Sequence, residues 1–262
     1  MSATLIAAMV GLGAIGGFLA GLLGFGGGVL MFPLLYYVPP LLELPRLEAQ
    51  TVAAVVISQV FFSSLVGGVA HLRGGHVHGR LAFIAGSVSA VGSFAGGIAS
   101  KWASERFLLL LFGIVTLCVL LMMFLPAPEH DDDVRSMEKL AVPSIPLACY
   151  SLATGTVIGF LGAGNFVFVP LLIYVFKVPT RAAIGSTLFI ALMNSATGFV
   201  GKLVTGQVPL IAIAVILGAA IGALAGEKAH RHVSTQTLRI VYAGMVLLIT
   251  IRIWLTITGI VA

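Results

Sequence analysis

Two glycine-rich breaks interrupt apolar sequence, and each could bind an anion through its backbone. The first is Gly24-Phe25-Gly26-Gly27-Gly28 followed by Pro33-Leu34-Leu35, and the second is Gly162-Ala163-Gly164-Asn165 followed by Pro170-Leu171-Leu172. A helical segment that starts after a break points its unpaired backbone N–H groups and the positive end of its dipole at that break. Glycine lets a ligand approach the backbone, and Asn165 adds an amide that can donate to an oxyanion. We therefore predict an anion site at Gly26, Gly27, Gly28, Gly164 and Asn165.

Polar side chains set deep in apolar sequence follow each break. They are Gln59, Ser63 and Ser64 in the first half and Thr187, Asn194 and Ser195 in the second. Ser63-Ser64 and Asn194-Ser195 occupy matching positions in the two halves, so they could supply hydroxyl and amide donors to the breaks. The alternative is hydrogen bonding between helices, which Ser, Thr and Asn commonly make in membranes.

Basic side chains offer two further interpretations. Lys202 and its counterpart His71 lie near predicted helix ends, where a basic side chain usually extends to the membrane interface, and their alternative role is to attract the anion. His71, His76 and His78 form a basic loop with Arg73 and Arg80. The His-x-His pair could bind metal, but no cysteine or carboxylate stands near it in the sequence. A metal or other cation carrier is therefore the alternative function.

The composition is that of an integral membrane protein. Hydrophobic residues make up 59% of the chain and charged residues 9%, with a mean hydropathy of +1.13, whereas soluble domains carry roughly a quarter charged residues. Apolar runs long enough to cross the ~30 Å hydrocarbon layer fall at 49–71, 79–100, 106–125, 182–202, 207–226 and 236–258, and the two broken segments are 3–38 and 144–176. The first run lacks the basic start of a cleaved signal peptide, so we expect it to remain in the mature protein.

The landmarks of the first half recur in the second. Pro45 and Ala49 match Pro179 and Ala183 at the same spacing, and matched serines and glycines follow in the same order. We predict a first repeat at 1–125, a polar acidic linker at 126–143 and a second repeat at 144–262. Each repeat has four helical segments, of which the first is broken.

The repeats could be parallel or inverted. If the broken segment crosses the membrane once, the repeats are parallel and the 14 basic residues divide 8 to 6 between the two sides. If it turns at the glycines and returns, the repeats are inverted and the division is 9 to 5, which the positive-inside rule slightly favours. A straight helix of 36 residues would also run about 54 Å, well beyond the bilayer. We adopt inverted repeats, a common transporter plan, as the hypothesis.

Other patterns limit the function. The sequence has no P-loop lysine motif and no Gly-x-Ser-x-Gly motif, so we expect neither an enzyme nor a cofactor. No acidic residue stands in the middle of a predicted helix, where proton-coupled carriers usually place an ionisable group, so we expect an uncoupled or weakly coupled path. Small residues recur every four positions, which predicts close helix packing; they are Gly13, Gly17 and Gly21, then Ser151, Gly155 and Gly159, then Gly218, Gly222 and Gly226. Cys118 and Cys149 are interpreted as packing residues. The basic residues are scattered, so we expect lipid as the surroundings, no nucleic acid, and a homodimer as a possible assembly.

The paired breaks, the Pro-x-x-x-Ala starts at Pro45 and Pro179 and the eight-segment length resemble the sulfite and organosulfonate exporter family TauE/SafE. The second copy departs from the triple glycine, because Asn165 stands there. The resemblance covers essentially the whole chain. It implies passage of sulfite, sulfonates or related small sulfur-containing or carboxylate anions across a bacterial inner membrane. Export would need no further coupling, because a negative cell interior drives a monoanion outward by about 2.3 kcal/mol per 100 mV.

Overall fold

Helices make up most of the ranges that the structure describes. The computed structural model describes residues 3–23, 28–72, 79–123, 143–230 and 235–259, and contains no strand within them. Its ten helices are α1 Ala3–Leu23, α2 Gly28–Leu41, α3 Ala49–Leu72, α4 Gly79–Ala99, α5 Glu105–Met123, α6 Ser144–Leu161, α7 Asn165–Val175, α8 Thr180–Val204, α9 Ala212–His230 and α10 Thr235–Ile257. Five of them, α1, α4, α5, α6 and α8, contain a segment long and apolar enough to cross a membrane. The predicted all-α polytopic membrane protein is confirmed.

Each break separates a long helix from a shorter one. In the first half, α1 has 21 residues and α2 has 14. In the second half, α6 has 18 residues and α7 is irregular, with a 3-10 turn at Asn165–Val167, a single α-helical turn at Phe168–Pro170 and a π-helix at Leu171–Val175. Proline lacks an N–H group, so a regular hydrogen-bond ladder cannot pass through Pro170. The predicted second arms, 29–38 and 166–176, match α2 and α7 closely.

The small residues of α1 and α9 bring these two helices into direct backbone contact. A Cβ atom on Gly17 would overlap the carbonyl group of Ala219, and one on Gly222 would overlap the carbonyl oxygen of Ala14. Gly13, Gly218 and Gly226 are equally constrained. The predicted packing role of these glycines is therefore confirmed, because any side chain would force the helices apart.

Helices α4 and α6 repeat the same contact. A Cβ atom on Gly155 would overlap the carbonyl group of Ser89, and one on Gly92 would reach the carbonyl oxygen of Leu152 at 2.5 Å. Each of these contacts has a counterpart between α1 and α9. Adding 138 to a residue number in α1 gives the equivalent residue in α6, and adding 130 to a residue number in α4 gives the equivalent residue in α9. In both halves, therefore, the first helix packs against the third long helix of the other half. This correspondence supports the two-repeat prediction.

A further matched feature is the turn after each short arm. Glu43 and Lys177 have φ values of 56° and 54°, and no other non-glycine residue in the described ranges has a positive φ. They stand two residues before Pro45 and Pro179 respectively. Left-handed backbone is uncommon for such side chains, so its recurrence at equivalent positions indicates the same turn in both halves.

Several connections meet at one end of the bundle, which we call end 1. Gln50 Nε2 at the start of α3 donates to the Ala103 carbonyl oxygen at 2.7 Å, and the Ser100 hydroxyl lies 3.0 Å from Gln207 Oε1. The connections 42–48, 100–104 and 205–211 therefore lie together, and the opposite end is end 2. The last turns of α2 are also held at end 1, because the Tyr36 hydroxyl donates to Glu105 Oε1 at 2.8 Å.

An ion pair at end 1 fixes the first hairpin. Arg46 Nη2 lies 3.0 Å from Glu105 Oε1 and also donates to the Tyr36 hydroxyl. This hydrogen bond is the main reason that the pKa of Arg46 is raised, so the Arg46 guanidinium group remains charged at any physiological pH. The end of α2 is thereby tied to the starts of α3 and α5.

One packing interpretation from the sequence is wrong. Cys118 and Cys149 are both free thiols and both exposed, so they lie on the outside of the bundle and not in helix contacts. An apolar sequence does not distinguish a side chain that faces lipid from one that faces another helix, because both surroundings are apolar.

Candidate anion site at the two breaks

Gly28, the last residue of the first break, touches the second break inside the protein. A Cβ atom on Gly28, the first residue of α2, would lie 3.3 Å from the Cα atom of Ala163 in the second break and 3.3 Å from Cγ2 of Val60. Gly28 and Ala163 are both buried, and Val60 stands near the middle of α3. The missing side chain at Gly28 therefore lets the start of α2 touch the second break beside α3.

The second break depends on two glycines in unusual backbone conformations. Gly162 ends α6 with a φ of 68°, and Gly164 precedes α7 with a φ of 142°, where an L side chain is strained. A Cβ atom on Gly162 would also overlap the Ala53 carbonyl of α3. The N-terminal turn of α7 has no side-chain cap, so backbone N–H groups there remain without a side-chain partner. The anion site predicted at Gly164 and Asn165 stays a prediction, which concerns these backbone groups.

Three long helices enclose the meeting point. A Cβ atom on Gly198 of α8 would clash with Ile57 Cδ1 of α3 and with the Ser93 hydroxyl of α4. Ile57 in turn lies beside Gly162, because a Cβ atom on Gly162 would be 3.0 Å from the backbone nitrogen of Ile57. The second break, α3, α4 and α8 are therefore in continuous contact, and Asn194 stands one turn before Gly198 on α8.

Amide side chains in this region are buried without hydrogen bonds. Asn194 is fully buried and Asn165 is 4% exposed, and in both residues neither the amide nitrogen nor the amide oxygen has a partner. Gln59 Oε1 and Ser93 Oγ are also unpartnered. Buried polar groups are nearly always paired in native proteins, so each exception needs an explanation. One of these amides stands in the second break and the other on α8, which contacts α3 beside that break.

The hydroxyl groups of the predicted site are mostly engaged. Ser195 donates to the Ala191 carbonyl oxygen at 2.5 Å and Thr187 donates to that of Ala183 at 2.7 Å. Gln59 Nε2 donates to the half-buried Ser63 at 3.1 Å. Such bonds within one helix are the ordinary way to satisfy a hydroxyl in lipid. Ser64 is buried, with 6% of its surface exposed. The asparagine amides, rather than these hydroxyls, are the donors that remain available.

The prediction that Lys202 extends to the interface is wrong. Its side chain is fully buried, and its ammonium group donates to the Ser100 hydroxyl at 2.6 Å and lies 3.4 Å from the Phe160 carbonyl oxygen. Phe160 is in the last turn of α6, where unpaired carbonyls attract a cation. Within the described ranges no carboxylate pairs with Lys202. The structure thus buries the amine of Lys202 close to the second break.

Some predicted residues lie outside the described residues. These are Gly26 and Gly27 in the first break, the side chain of His71, and the whole of His76 and His78. The described part of the chain contains no cluster of three His, Cys, Asp or Glu side chains that could hold a metal ion.

Sequence reasoning missed Ser93, Ser100 and Gln207. Ser93 stands among glycines and alanines that indicate packing, and Ser100 and Gln207 stand at helix ends where polar residues are common. Their involvement depends on contacts across more than 100 residues, as between Ser100 and Lys202. The one signal in the sequence was Lys202 itself, an intramembrane lysine for which a partner has to exist.

Comparison with known proteins agrees with this architecture. The family described as Sulfite exporter TauE/SafE matches residues 9–253. A probable membrane transporter protein of Xylella fastidiosa (strain Temecula1) is 36% identical over 185 residues, which covers 68% of this chain and 67% of that protein. The probable membrane transporter protein YunE of Bacillus subtilis is 27% identical over 92% of this chain and 94% of its own. No solved structure matches the chain. The chain therefore belongs to the sulfite exporter TauE/SafE family of membrane transporters.

Proposed function

We propose that the protein exports small sulfur-containing oxyanions, such as sulfite and sulfonates, across a bacterial inner membrane. Membership of the family supports a transporter, and the chemistry of the site supports an anion. Backbone N–H groups and two asparagine amides are hydrogen-bond donors, and the buried Lys202 lies outside this set, against Ser100 and Phe160. In the described part of the site no carboxylate opposes them.

The observation that carries this proposal is the pair of unpartnered amides, one in the second break and one on α8. Asn165 belongs to the second break, and Asn194 lies one turn from the residue of α8 that contacts Ile57 and Ser93. Leaving a buried amide without a partner costs about 1–3 kcal/mol. An oxyanion has several acceptor oxygens, so it could accept from these amides and from backbone N–H groups at the start of α7, which no side chain caps.

Two contact patterns support an inverted arrangement of the repeats. Residue numbers rise together along α1 and α9, as in Val10 with Gly218 and Phe18 with Gly226. Because α9 follows the connection 205–211, α1 begins at end 1, where α2 also finishes. Residue numbers likewise rise together along α6 and α4. Because α4 begins at end 2 and finishes at end 1, α6 also begins at end 2. On this arrangement the first hairpin opens toward end 1 and the second toward end 2.

The direction of transport follows from charge. In the inverted arrangement end 2 carries 9 of the 14 basic residues, so the positive-inside rule places end 2 in the cytoplasm. The membrane potential then drives a monoanion toward end 1.

Flux of radiolabelled sulfite into proteoliposomes tests the proposal. Saturable uptake, inhibited by unlabelled sulfoacetate and lost in Asn194→Ala, is expected. Thr116→Val is a matched control, because Thr116 is a buried polar residue whose hydroxyl is satisfied within α5. Competition by acetate alone would point to a carboxylate transporter. Absence of saturable anion flux, with zinc uptake that depends on His76 and His78, would refute the proposal in favour of a metal carrier.

A further inference from the structure

A polar cavity opens at end 1 of the bundle. Its volume is about 350 Å³, and it is lined by Glu48, Gln50, Thr51, Lys101, Gly206, Gln207 and Pro209. The lining residues come from three connections that the fold brings together: 42–48 with the start of α3, 100–104, and 205–211. One lysine balances one glutamate, and the amides and the threonine add neutral hydrogen-bonding groups, so the cavity suits water and a small polar solute.

Gln207 separates this cavity from the interior. Its Nε2 donates to the Gly97 carbonyl oxygen at 2.9 Å and to the Thr205 hydroxyl at 2.6 Å. Its Oε1 lies 3.0 Å from the hydroxyl of Ser100, which is fully buried. The Gln207 side chain thus lies between the cavity that it lines and the residues Gly97 and Ser100 at the end of α4.

Directly behind this barrier is the buried ammonium group of Lys202. It donates to Ser100 at 2.6 Å and lies 3.4 Å from the Phe160 carbonyl oxygen, and Phe160 precedes Gly162 of the second break by two residues. A series of polar contacts therefore leads from the cavity at end 1 through Gln207, Ser100 and Lys202 to Phe160, two residues before the second break.

We propose that the cavity at end 1 is the outer vestibule of the anion path, and that Lys202 is a second anion-binding position between this vestibule and the second break. The side chains of Gln207 and Ser100 close the path between them. This rests on the proposed function. A buried ammonium group without a carboxylate is costly unless a counter-ion reaches it, and a lysine on its flexible stem can follow a moving anion. Rotation of the Gln207 side chain would open the path without moving any helix.

The first test separates binding from passage. In Lys202→Met, which keeps a side chain of similar length without charge, we expect stabilisation of the purified protein by sulfite at concentrations within twofold of those for the parent. Sulfite flux is expected to fall at least tenfold, and Lys202→Arg should retain part of it. Thr116→Val, on the remote helix α5, should change neither measurement.

The second test measures closure directly, in a background with Cys118→Ala and Cys149→Ala. Ser100→Cys should resist a membrane-impermeant, negatively charged methanethiosulfonate reagent, and should react at least tenfold faster when Gln207→Ala is added. Thr51→Cys, which lines the cavity outside the barrier, should react rapidly in both backgrounds.

Each other outcome has a definite meaning. Flux at the parental rate in Lys202→Met, or reaction of Ser100→Cys that Gln207→Ala does not change, would overturn this inference. Loss of both stabilisation and flux in Lys202→Met would also overturn it, because Lys202 would then belong to the central site. If no anion stabilises the parent protein, the proposed function itself fails. If Lys202→Met does not fold, Lys202→Arg and the thiol measurement still decide.

Discussion

At the scale of single residues, the buried side chains of Asn165 and Asn194 each have two unpartnered polar atoms. Both amides are buried and unpartnered, although nearby hydroxyls such as those of Ser195 and Thr187 are satisfied within their own helices. Proteins retain such costly groups where function requires them. The two asparagines are therefore the residues on which the proposed anion site depends.

Replacing Asn194 should separate stability from function. In Asn194→Leu the unpaired amide is replaced by an apolar side chain of similar size, so we expect the melting temperature without ligand to rise or stay constant while sulfite binding is lost. A thermal unfolding series measures the first effect and sulfite flux measures the second.

The opposite result has a clear interpretation. If Asn194→Leu lowers the melting temperature by several degrees, Asn194 makes a structural hydrogen bond between helices. Its place in the anion site would then be withdrawn.

Asn165 should contribute to affinity. One hydrogen bond to a charged group contributes about 1.5–3 kcal/mol, so Asn165→Ala should raise the half-saturating sulfite concentration about tenfold or more. Isothermal titration of purified protein gives this value. Unchanged affinity would leave the backbone of the second break as the only contact there.

The residue scale is also where sequence reasoning was weakest. The type and position of Asn194 sufficed to propose it, because an amide deep in an apolar helix is conspicuous. The burial of Lys202 was not predictable, since it depends on the carbonyl of Phe160 and the hydroxyl of Ser100. Neither contact can be recognised from the residues that surround Lys202 in the sequence.

At the scale of elements, glycine contacts determine how closely the helices approach. On α1, Gly17 has the backbone of Ala219 against it, while Gly11 has nothing within 4 Å of a Cβ position. The two glycines belong to the same helix, so helix propensity affects them equally. They form a matched pair for testing the packing.

Gly17→Leu should destabilise the protein and Gly11→Leu should not. A side chain at Gly17 must push α9 away, and overpacking of this kind typically costs about 1–3 kcal/mol or more. The melting temperature and the yield of folded protein in detergent measure the effect. Equal behaviour of the two variants would contradict the close contact of α1 with α9.

Element boundaries were predictable because the signals are local. The glycine-rich breaks and Pro45 and Pro179 mark the ends of segments, and the apolar runs predicted at 49–71 and 79–100 became α3 Ala49–Leu72 and α4 Gly79–Ala99. The π-helix at Leu171–Val175 was not predicted. It results from Pro170 together with packing of α7 against the rest of the bundle, which periodicity does not encode.

At the scale of the whole molecule, the matched contacts and matched turns support two repeats, and their inversion remains a prediction. Inversion has one consequence for the connections after the short arms: Glu43 and Lys177 must face opposite sides of the membrane. Parallel repeats would put them on the same side.

Cysteine labelling tests this orientation. With Cys118 and Cys149 replaced, Glu43→Cys and Lys101→Cys should react from one side of oriented vesicles and Lys177→Cys only from the other. All three positions are exposed, so access to the reagent is equal. Labelling of Glu43→Cys and Lys177→Cys from the same side would refute inverted repeats and the direction of transport inferred from them.

The most direct test of the anion site is the thermal stability of purified protein titrated with small ions. Because a ligand that binds only the folded state stabilises it by about 2.7 kcal/mol at 100 times its dissociation constant, sulfite and sulfoacetate should raise the melting temperature in a saturable way. The combined Asn165→Ala and Asn194→Ala variant should lose this response. Stabilisation by divalent cations with no response to any oxyanion would contradict the account.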